Sequence, residues 1–441
     1  MIPNKRSGAM YDVLVVGGGT AGVVAGIQAA LAGARTLIIE RSAQLGGTMT
    51  NAGICQPGLF HAGSRQVIAG IGWELIVRAA AEGGTPLPNF DDPALPHWGR
   101  QPRLNAAAFA AVCDDALLNS GAELLLHTML ASLDREDSGW RVGLCTKTGL
   151  QYYRARIVVD ATGDGTAAGL AGATLVRPEV CQPATLSCRL GGYDPDALDL
   201  NALNAAFHAA CETGELRPED ASWHIDKPLL DGWLRKRGHN ANHVPATVEA
   251  ATSEGRTHLE IEGRRAIHRL VRWLRRQPGL EGIQVEAIFP EIGVRETVRI
   301  VGEATVTLKD YESGRVWPEA ICYACYPIDI HGLSSNEWQA WPLAEGVAAT
   351  VPRGALIPAG CPDLLAAGRL ISSDRLAHSA LRVEATAMAT GQAAGALATL
   401  AAADRTSPSA VPFARLRRHL LEHGAILPTE ELESESDHSN Q

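Results

Sequence analysis

The feature that most constrains the fold is a strand–turn–helix–strand pattern between Tyr11 and Glu40. The apolar run at 13–16 is typical of a strand buried on both faces. Residues 20–31 are small and apolar enough to predict a tightly packed helix. Residues 35–39 predict a second buried strand, which ends at Glu40. The pattern therefore predicts a parallel βαβ unit at the start of the chain.

Three glycines between the first strand and the helix indicate what this unit binds. Gly17, Gly19 and Gly22 have the G-x-G-x-x-G spacing of dinucleotide-binding folds. The first permits a tight turn, the second a close approach of a pyrophosphate, and the third close helix–strand packing. The helix N-terminus offers free N–H groups to the pyrophosphate, and Glu40 can accept hydrogen bonds from a ribose. The sequence therefore predicts a dinucleotide site.

Length and composition favour a two-domain α/β protein. The chain has 441 residues, of which 46% are apolar and 45 are glycine. A net charge of −10 argues against a nucleic-acid partner. Nine scattered cysteines do not resemble a secreted disulfide framework, and we find neither a signal peptide nor a transmembrane segment. We therefore expect a cytoplasmic protein.

Changes in composition and in hydrophobic periodicity along the sequence divide the chain into four parts. Residues 10–176 predict the first part of the nucleotide-binding domain, including active-site loops at 55–105. Residues 177–350 predict a substrate or cap domain, 351–426 a return to the first domain, and 427–441 a disordered acidic tail. Within these parts the pattern predicts helices at 70–82, 105–119, 379–402 and 413–423, strands at 123–130, 157–160 and 364–366, and a hairpin at 140–154.

Further motifs identify a family. They are Gly46-Gly47, Asp160-Ala-Thr-Gly-Asp164, Pro290-Glu-Ile-Gly-Val-Arg-Glu296, Tyr326-Pro-Ile-Asp-Ile-His331, Ala367-Gly-Arg369, His378-Ser-Ala-Leu-Arg-Val383 and Gly391-Gln-Ala-Ala-Gly395. With them the chain resembles the FAD-dependent oxidoreductases of glutathione-reductase fold, and more distantly the succinate dehydrogenase and fumarate reductase flavoproteins. The resemblance implies an α/β fold in which a Rossmann-like FAD-binding domain of glutathione-reductase type carries an inserted α+β substrate domain.

The resemblance also implies FAD as the cofactor and assigns residues to it. The expected cofactor-binding residues are Gly17, Gly19, Thr20, Ala21, Gly22, Glu40, Arg41, Gly46, Gly47, Thr48, Leu130, Ala161, Thr162, Gly163, Gly368, Arg369, Arg382 and Val383. By resemblance, Gly368 and Arg369 would reach the diphosphate or ribityl region, and Arg382 and Val383 the pyrimidine edge of the flavin. A helix N-terminus there would stabilise the negative charge of a reduced flavin.

Four residues are candidates for catalysis. Asp329 and His331 lie two apart, so on a strand they share one face, where they form either a proton-accepting pair or a structural pair. Arg295 either binds an anionic or hydroxyl-rich substrate or belongs to an interface ion pair. His378 is either a general base or a packing residue beside the flavin.

Other suggestive residues have weaker interpretations. Cys322 and Cys325 form a C-x-x-C pair without a second pair, which favours reduced thiols over a redox dithiol or a metal site. We expect non-covalent FAD and no metal, although Cys55 or His61 could in principle carry the flavin. The arginine-rich stretch 264–276 is amphipathic and could contact an anionic membrane, but such helices more often pack against their own protein.

These observations lead to a functional hypothesis. We expect an FAD-dependent dehydrogenase or oxidase that moves a hydride from a small polar organic substrate to flavin N5. Oxygen, a quinone or a carrier protein would then accept the electrons. Gly163-Asp-Gly165 lacks the spacing of a second nucleotide site, so NAD(P)H is not the obvious donor. The alternatives are an NAD(P)H-dependent flavin monooxygenase or reductase, and a flavin-free binding scaffold of the same fold.

Overall fold

Strands and helices alternate along the part of the chain that the structure, a computed structural model, describes: residues 10–92, 94–221, 230–240, 242–246, 248–332 and 339–428. The strands are β1 (Met10–Val16), β2 (Thr36–Ile39), β3 (His61–Ala62), β4 (Arg65–Gln66), β5 (Glu123–Leu125), β6 (Met129–Glu136), β7 (Gly139–Thr146), β8 (Gly149–Asp160), β9 (Leu175–Val176), β10 (Cys188–Gly191), β11 (Gly238–His239), β12 (Gln284–Ile288), β13 (Arg299–Ile300), β14 (Ala320–Ala324), β15 (Ile328–Ile330), β16 (Gln339–Trp341), β17 (Ala349–Pro352) and β18 (Leu364–Ala366). The helices are α1 (Thr20–Leu31), α2 (Ile71–Glu82), α3 (Ala106–Asn119), α4 (Thr166–Leu170), α5 (Leu200–Glu212), α6 (Asp231–Arg235), α7 (Ser253–Leu274), α8 (Leu308–Glu312), α9 (Arg375–Leu381), α10 (Glu384–Asp404) and α11 (Phe413–Glu422).

The main sheet has the order β5-β2-β1-β8-β7-β6, with β18 also paired to β8. Strands β5, β2, β1, β8 and β18 are parallel, whereas β7 and β6 join as an antiparallel extension. The first half of β8 pairs with β7, and its last residues lie between β1 and β18. The carboxyl ends of β1, β8 and β18 therefore meet at one edge of the sheet, where ligands bind in open α/β sheets.

Helices α1 and α10 pack against each other at very short range. A Cβ atom added at Gly391 would lie 2.2 Å from the carbonyl oxygen of Ala21, and one added at Gly395 would lie 2.2 Å from that of Ala25. Glycine at both positions lets the backbones touch, so α10 supports the helix that follows the glycine turn.

The structure confirms the predicted βαβ unit, in which α1 has the expected bounds, and it changes three other predictions. The predicted strand 123–130 is two strands, because His127 has a φ of 51°. The hairpin and the strand that follows it share one long strand, β8. The predicted helix 379–402 is two helices that meet at Arg382 and Val383, where the N–H of Ala385 donates to Pro57 O instead of continuing the helix.

The buried apolar residues form three clusters. One consists of residues between Cys181 and Val294, and the other two surround the faces of the main sheet and include residues 298–357. The domain limits at residues 176 and 350 stay a proposal, and the predicted acidic tail lies outside the described residues from 429 onward.

Helix α7 turns its apolar side inward. Ile267, Leu270, Val271 and Leu274 are buried in the cluster between Cys181 and Val294, so this stripe packs against protein. In the part of the chain that the structure describes, no helix combines the length and the apolarity needed to cross a membrane.

Candidate active site

A cavity of about 1250 Å³ opens at the edge of the sheet where β1, β8 and β18 end. It begins at the glycine turn after β1 and extends past the N-terminal half of α7. It continues to the segment around β15 and to the start of α10, and its lining includes His97, Trp98, Arg103 and Lys236. The cavity thus lies between the main sheet and the elements of the cluster between Cys181 and Val294.

Two glycine segments form one end of the cavity by direct backbone contact. Gly19 and Gly46 form an isolated parallel bridge, and a Cβ atom at Gly47 would lie 2.8 Å from Cα of Gly19. Gly17 has a φ of 103°, and its Cβ would meet the carbonyl oxygen of Ala161 at 2.7 Å. No side chain caps the N-terminus of α1, so its first N–H groups are left for a ligand.

Glu40 holds two loops at the same end. Its carboxylate accepts hydrogen bonds from the N–H groups of Gly18 and Ser42, each at 2.7 Å. The side chain is buried but lines the cavity. Each carboxylate oxygen has a second lone pair, so the residue can also accept a hydrogen bond from a ligand hydroxyl.

Paired charges line the middle of the cavity. Asp164 contacts Arg256 of α7 at 2.9 Å and Arg369 at 2.8 Å, so one carboxylate joins two guanidinium groups. Arg369 also donates to the carbonyl oxygens of Gly163 and Val294. Near them, Arg41 forms an ion pair with Glu291.

His331 and Asp329 lie at the β15 side of the cavity. His331 Nε2 is 3.2 Å from the Asp329 carboxylate, which also lies 3.4 Å from Arg382. Burial, reinforced by the positive charge of Arg295, lowers the pKa of His331 to about 4. The imidazole is therefore neutral at pH 7 and has one ring nitrogen that can accept a proton.

Arg295 lies beside this pair and lines the cavity. Its Nη1 donates to Pro183 O at 2.7 Å and to Thr185 Oγ1 at 2.9 Å. No carboxylate of the described residues lies within ion-pair distance of its guanidinium, and burial and the nearby Arg382 lower its pKa to about 9. A partly buried cation without a carboxylate at ion-pair distance is unfavourable, so an anion at this position would stabilise it.

The structure brings nearly all of the predicted residues to this cavity. The predicted residues in its lining are Gly17, Gly19, Thr20, Ala21, Glu40, Arg41, Gly47, Thr48, Leu130, Ala161, Thr162, Gly163, Arg295, Asp329, His331, Gly368, Arg369, Arg382 and Val383. Gly22 and Gly46 lie behind the lining, and a Cβ at Gly22 would meet Gly17 O at 1.8 Å, which indicates a packing role.

His378 lies apart from the other candidates. It is buried outside the cavity lining, and its Nε2 lies 3.0 Å from the carbonyl oxygen of Arg369. Burial lowers the pKa of its imidazole well below the usual value. The side chain touches the protein rather than the cavity, so we leave it out of the proposed catalytic group and assign it to packing.

The other suggestive side chains also lie outside the lining. Cys322 and Cys325 are buried free thiols, and burial raises the pKa of each to about 12. Cys55 donates to Met49 O, and the His61 ring stacks on Phe90 at a centroid distance of 3.8 Å.

Sequence reasoning missed several residues of the cavity wall. They are Gln56, His97, Trp98, Gln101, Arg103, Lys236, Arg256 and Glu384. Most come from loops or from the cluster between Cys181 and Val294, where no motif marks them. Glu384 is the exception, because it directly follows the predicted pair Arg382 and Val383.

Comparison with known proteins decides the family. The model of the family described as FAD dependent oxidoreductase matches residues 12–420. This chain belongs to that family. A dihydrolipoyl dehydrogenase from Trypanosoma brucei brucei is 52% identical over 54 residues, which is 12% of this chain and 11% of that protein's length. The protein is therefore an FAD-dependent oxidoreductase rather than a flavin-free scaffold, and FAD is its cofactor.

The solved structures that resemble this chain are distant from it in sequence. A geranylgeranyl bacteriochlorophyll reductase-like protein from Thermoplasma acidophilum is 14% identical, with 94% of this chain and 83% of that chain covered and a TM-score of 0.47. A glycine oxidase from Geobacillus kaustophilus is 19% identical over 41% of this chain and 63% of that chain, with a TM-score of 0.27. Nothing about the substrate follows from likenesses this remote.

The residues at the glycine end of the cavity fit FAD. The crowded contact between Gly19 and Gly47 leaves no room for side chains, and the uncapped N-terminus of α1 suits a pyrophosphate. The α10 N-terminus, with Val383 as its cap residue and no side-chain cap, lies elsewhere on the wall of the same cavity. Of these two helix ends, that of α1 has no acidic residue in its first turn and is the one that suits an anion, whereas the first turn of α10 contains Glu384, and its Ala385 N–H donates to Pro57 O.

Proposed function

We propose that this oxidoreductase is a dehydrogenase or oxidase that removes a hydride from a small polar organic substrate, with flavin N5 as the acceptor. The observation that carries the proposal is the grouping of His331, Asp329 and Arg295 on one wall of the cofactor cavity. Removal of a hydride from an alcohol, amine or hydroxy acid also releases a proton, which needs a base close to the substrate.

His331 is the proposed base. Its pKa of about 4 keeps it neutral at pH 7, and the Asp329 carboxylate at 3.2 Å orients the ring and stabilises the imidazolium that forms. Arg382 lies 3.4 Å from the same carboxylate and forms an ion pair with it. Together the three side chains form a group that can accept a proton from a bound substrate.

Arg295 is the proposed substrate-binding cation. Its interactions with Pro183 O and Thr185 Oγ1 fix one edge of the guanidinium, while no carboxylate of the described residues neutralises it. A substrate acid group would supply the missing anion through a charge-assisted hydrogen bond. We therefore favour hydroxy acids and amino acids over neutral alcohols.

The first test is an anaerobic absorption experiment on the purified protein. NADPH, NADH and a panel of alcohols, amines, hydroxy acids and amino acids are added separately, and bleaching of the flavin is followed. We expect bleaching by a member of the acid-bearing group and not by the nicotinamides. Bleaching by NADPH or NADH alone would overturn the proposal in favour of a monooxygenase or reductase.

A variant of Arg295 then tests the assignment of the substrate acid group. We expect Arg295→Met to raise KM for the acid substrate about 10- to 100-fold, because a charge-assisted hydrogen bond contributes about 1.5–3 kcal/mol. FAD content should be unchanged. Arg265→Met is the control, because its side chain is exposed on α7 and pairs with Glu262. An unchanged KM in Arg295→Met would contradict the assignment.

A further inference from the structure

Glu384 places a carboxyl group in the cavity wall next to the proposed flavin edge. It is the first residue of α10, directly after Val383, and it lines the cavity together with Gln56, Tyr326 and Arg382. In the first turn of this helix, the Ala385 N–H donates to Pro57 O. This position belongs to the cofactor cavity but was not assigned any role by the motifs of the chain.

The surroundings of Glu384 do not fully stabilise its charge. Among the described residues, no Lys, Arg or His lies within ion-pair distance of its carboxylate, although Arg382 and Arg369 are near enough to act on it. Cys55 and Tyr326 belong to two other segments and are near enough for the charge of Glu384 to help raise the pKa of their side chains. Burial raises the pKa of Glu384 to about 7, and its own backbone N–H and the two arginines oppose that rise only in part.

We propose that Glu384 binds a proton when FAD is reduced and releases it when FAD is reoxidised. A bound flavin that is reduced by two electrons and takes up one proton at N5 would carry a negative charge on its pyrimidine ring. Unless a proton is taken up nearby, the surrounding groups alone must stabilise that negative charge. The nearby Glu384 carboxylate takes a second proton from water, so the reduced site gains no net charge. This inference rests on FAD as the cofactor and not on the identity of the organic substrate.

The pH range in which Glu384 takes up a proton follows from the linkage between its protonation and the reduction of FAD. Above its pKa in the oxidised protein, Glu384 is ionised before reduction. The negative charge of the reduced cofactor then raises its pKa further, so a proton is bound during reduction. Below that pKa the carboxyl is already protonated, and reduction adds no proton to it. The extra proton uptake is therefore confined to a window that begins near neutral pH and extends upward.

The test is an anaerobic equilibrium titration with dithionite and redox dyes at a series of pH values. The slope of the midpoint potential against pH gives the number of protons bound per two electrons. We expect a slope of about two protons between about pH 7.5 and 9 in the unchanged protein and of about one proton in Glu384→Gln. Glu262→Gln, which removes a partly exposed carboxylate on α7 outside the cavity lining, should retain the steeper slope.

Two results would overturn the proposal. One is the uptake of a single proton per two electrons by the unchanged protein across the whole pH window, a result that can be obtained without any variant. The other is an identical slope in Glu384→Gln with full FAD content. Because dithionite supplies the electrons, failure here is separate from failure of the proposed substrate oxidation, which the absorption screen tests on its own.

Discussion

His331 shows how its surroundings set the protonation state of one side chain, here the proposed base. An ordinary imidazole is partly protonated near neutral pH, whereas burial and the positive charge of Arg295 bring the pKa of this one to about 4. Asp329 acts in the opposite direction but does not cancel these effects. The side chain thus remains a proton acceptor over a wide pH range below neutrality.

A pH profile of kcat/KM, measured with the substrate found by the absorption screen, tests this assignment. The base form of His331 is lost on protonation, so its acid limb should appear near pH 4 rather than near 6.5. Arg295→Met removes a cation that lowers the pKa, so the limb should move upward in that variant. We expect His331→Asn to lower kcat about 10²- to 10⁴-fold with unchanged FAD content.

Glu384→Gln serves as the control in that profile. Any limb near pH 7 that disappears in this variant belongs to Glu384, whose pKa is about 7. A limb near 6.5 that disappears in His331→Asn would contradict the account of His331.

The residues of the candidate site that the sequence marks are those whose signal is local. The glycine turn, Glu40 and the Asp329–His331 spacing each lie within a short stretch, and the structure gives them the expected neighbours. Arg256 and Lys236 reach the cavity from elements far away in sequence, so no local pattern marks them. The burial that raises the pKa of Glu384 is likewise a property of the folded cavity.

At the scale of elements, the same distinction separates predicted from unpredicted structure. The periodicity of 20–31 is self-contained, which explains why the bounds of α1 were predicted from sequence. The break between α9 and α10 depends on a bond from Ala385 N–H to Pro57 O, more than three hundred residues away. The continuity of β8 likewise depends on its partners, because β7 pairs with one half and β1 and β18 with the other.

The contact between α1 and α10 gives a prediction for Gly391. We expect Gly391→Ala to lower the free energy of unfolding by about 1–3 kcal/mol, because the new Cβ would lie 2.2 Å from Ala21 O. The displaced α1 should also bind FAD more weakly, since the glycine turn leads directly into it. Thermal unfolding and FAD titration of the apoprotein measure the two effects.

Gly169→Ala is the matched control for Gly391→Ala. This glycine also lies in a helix, α4, but its added Cβ would meet only the side chain of Leu175 at 3.7 Å. Alanine favours a helix relative to glycine, so stability should be unchanged or slightly higher. Equal effects of the two substitutions would show that the α1–α10 contact is not the cause.

At the scale of the whole molecule, Asp164 connects two parts of the chain across the cavity. It follows β8 of the main sheet and contacts Arg256 of α7, which belongs to the cluster between Cys181 and Val294. The same carboxylate contacts Arg369, which follows β18. One anion therefore compensates two cations, and all three side chains are at most one-fifth exposed.

Removal of this anion should destabilise the molecule more than removal of a surface charge. We expect Asp164→Asn to lower the free energy of unfolding by about 3 kcal/mol, because two guanidinium groups would then remain close together without a counter-charge. Adding Arg256→Met should recover part of the loss, since one of the two cations is then gone. Chemical denaturation of the apoprotein compares the variants, with Glu262→Gln as the control, whose exposed pair should contribute less than about 1 kcal/mol. Two outcomes would contradict this account of Asp164. One is a loss of stability in Asp164→Asn no larger than that in Glu262→Gln. The other is a further loss of stability when Arg256→Met is added to Asp164→Asn.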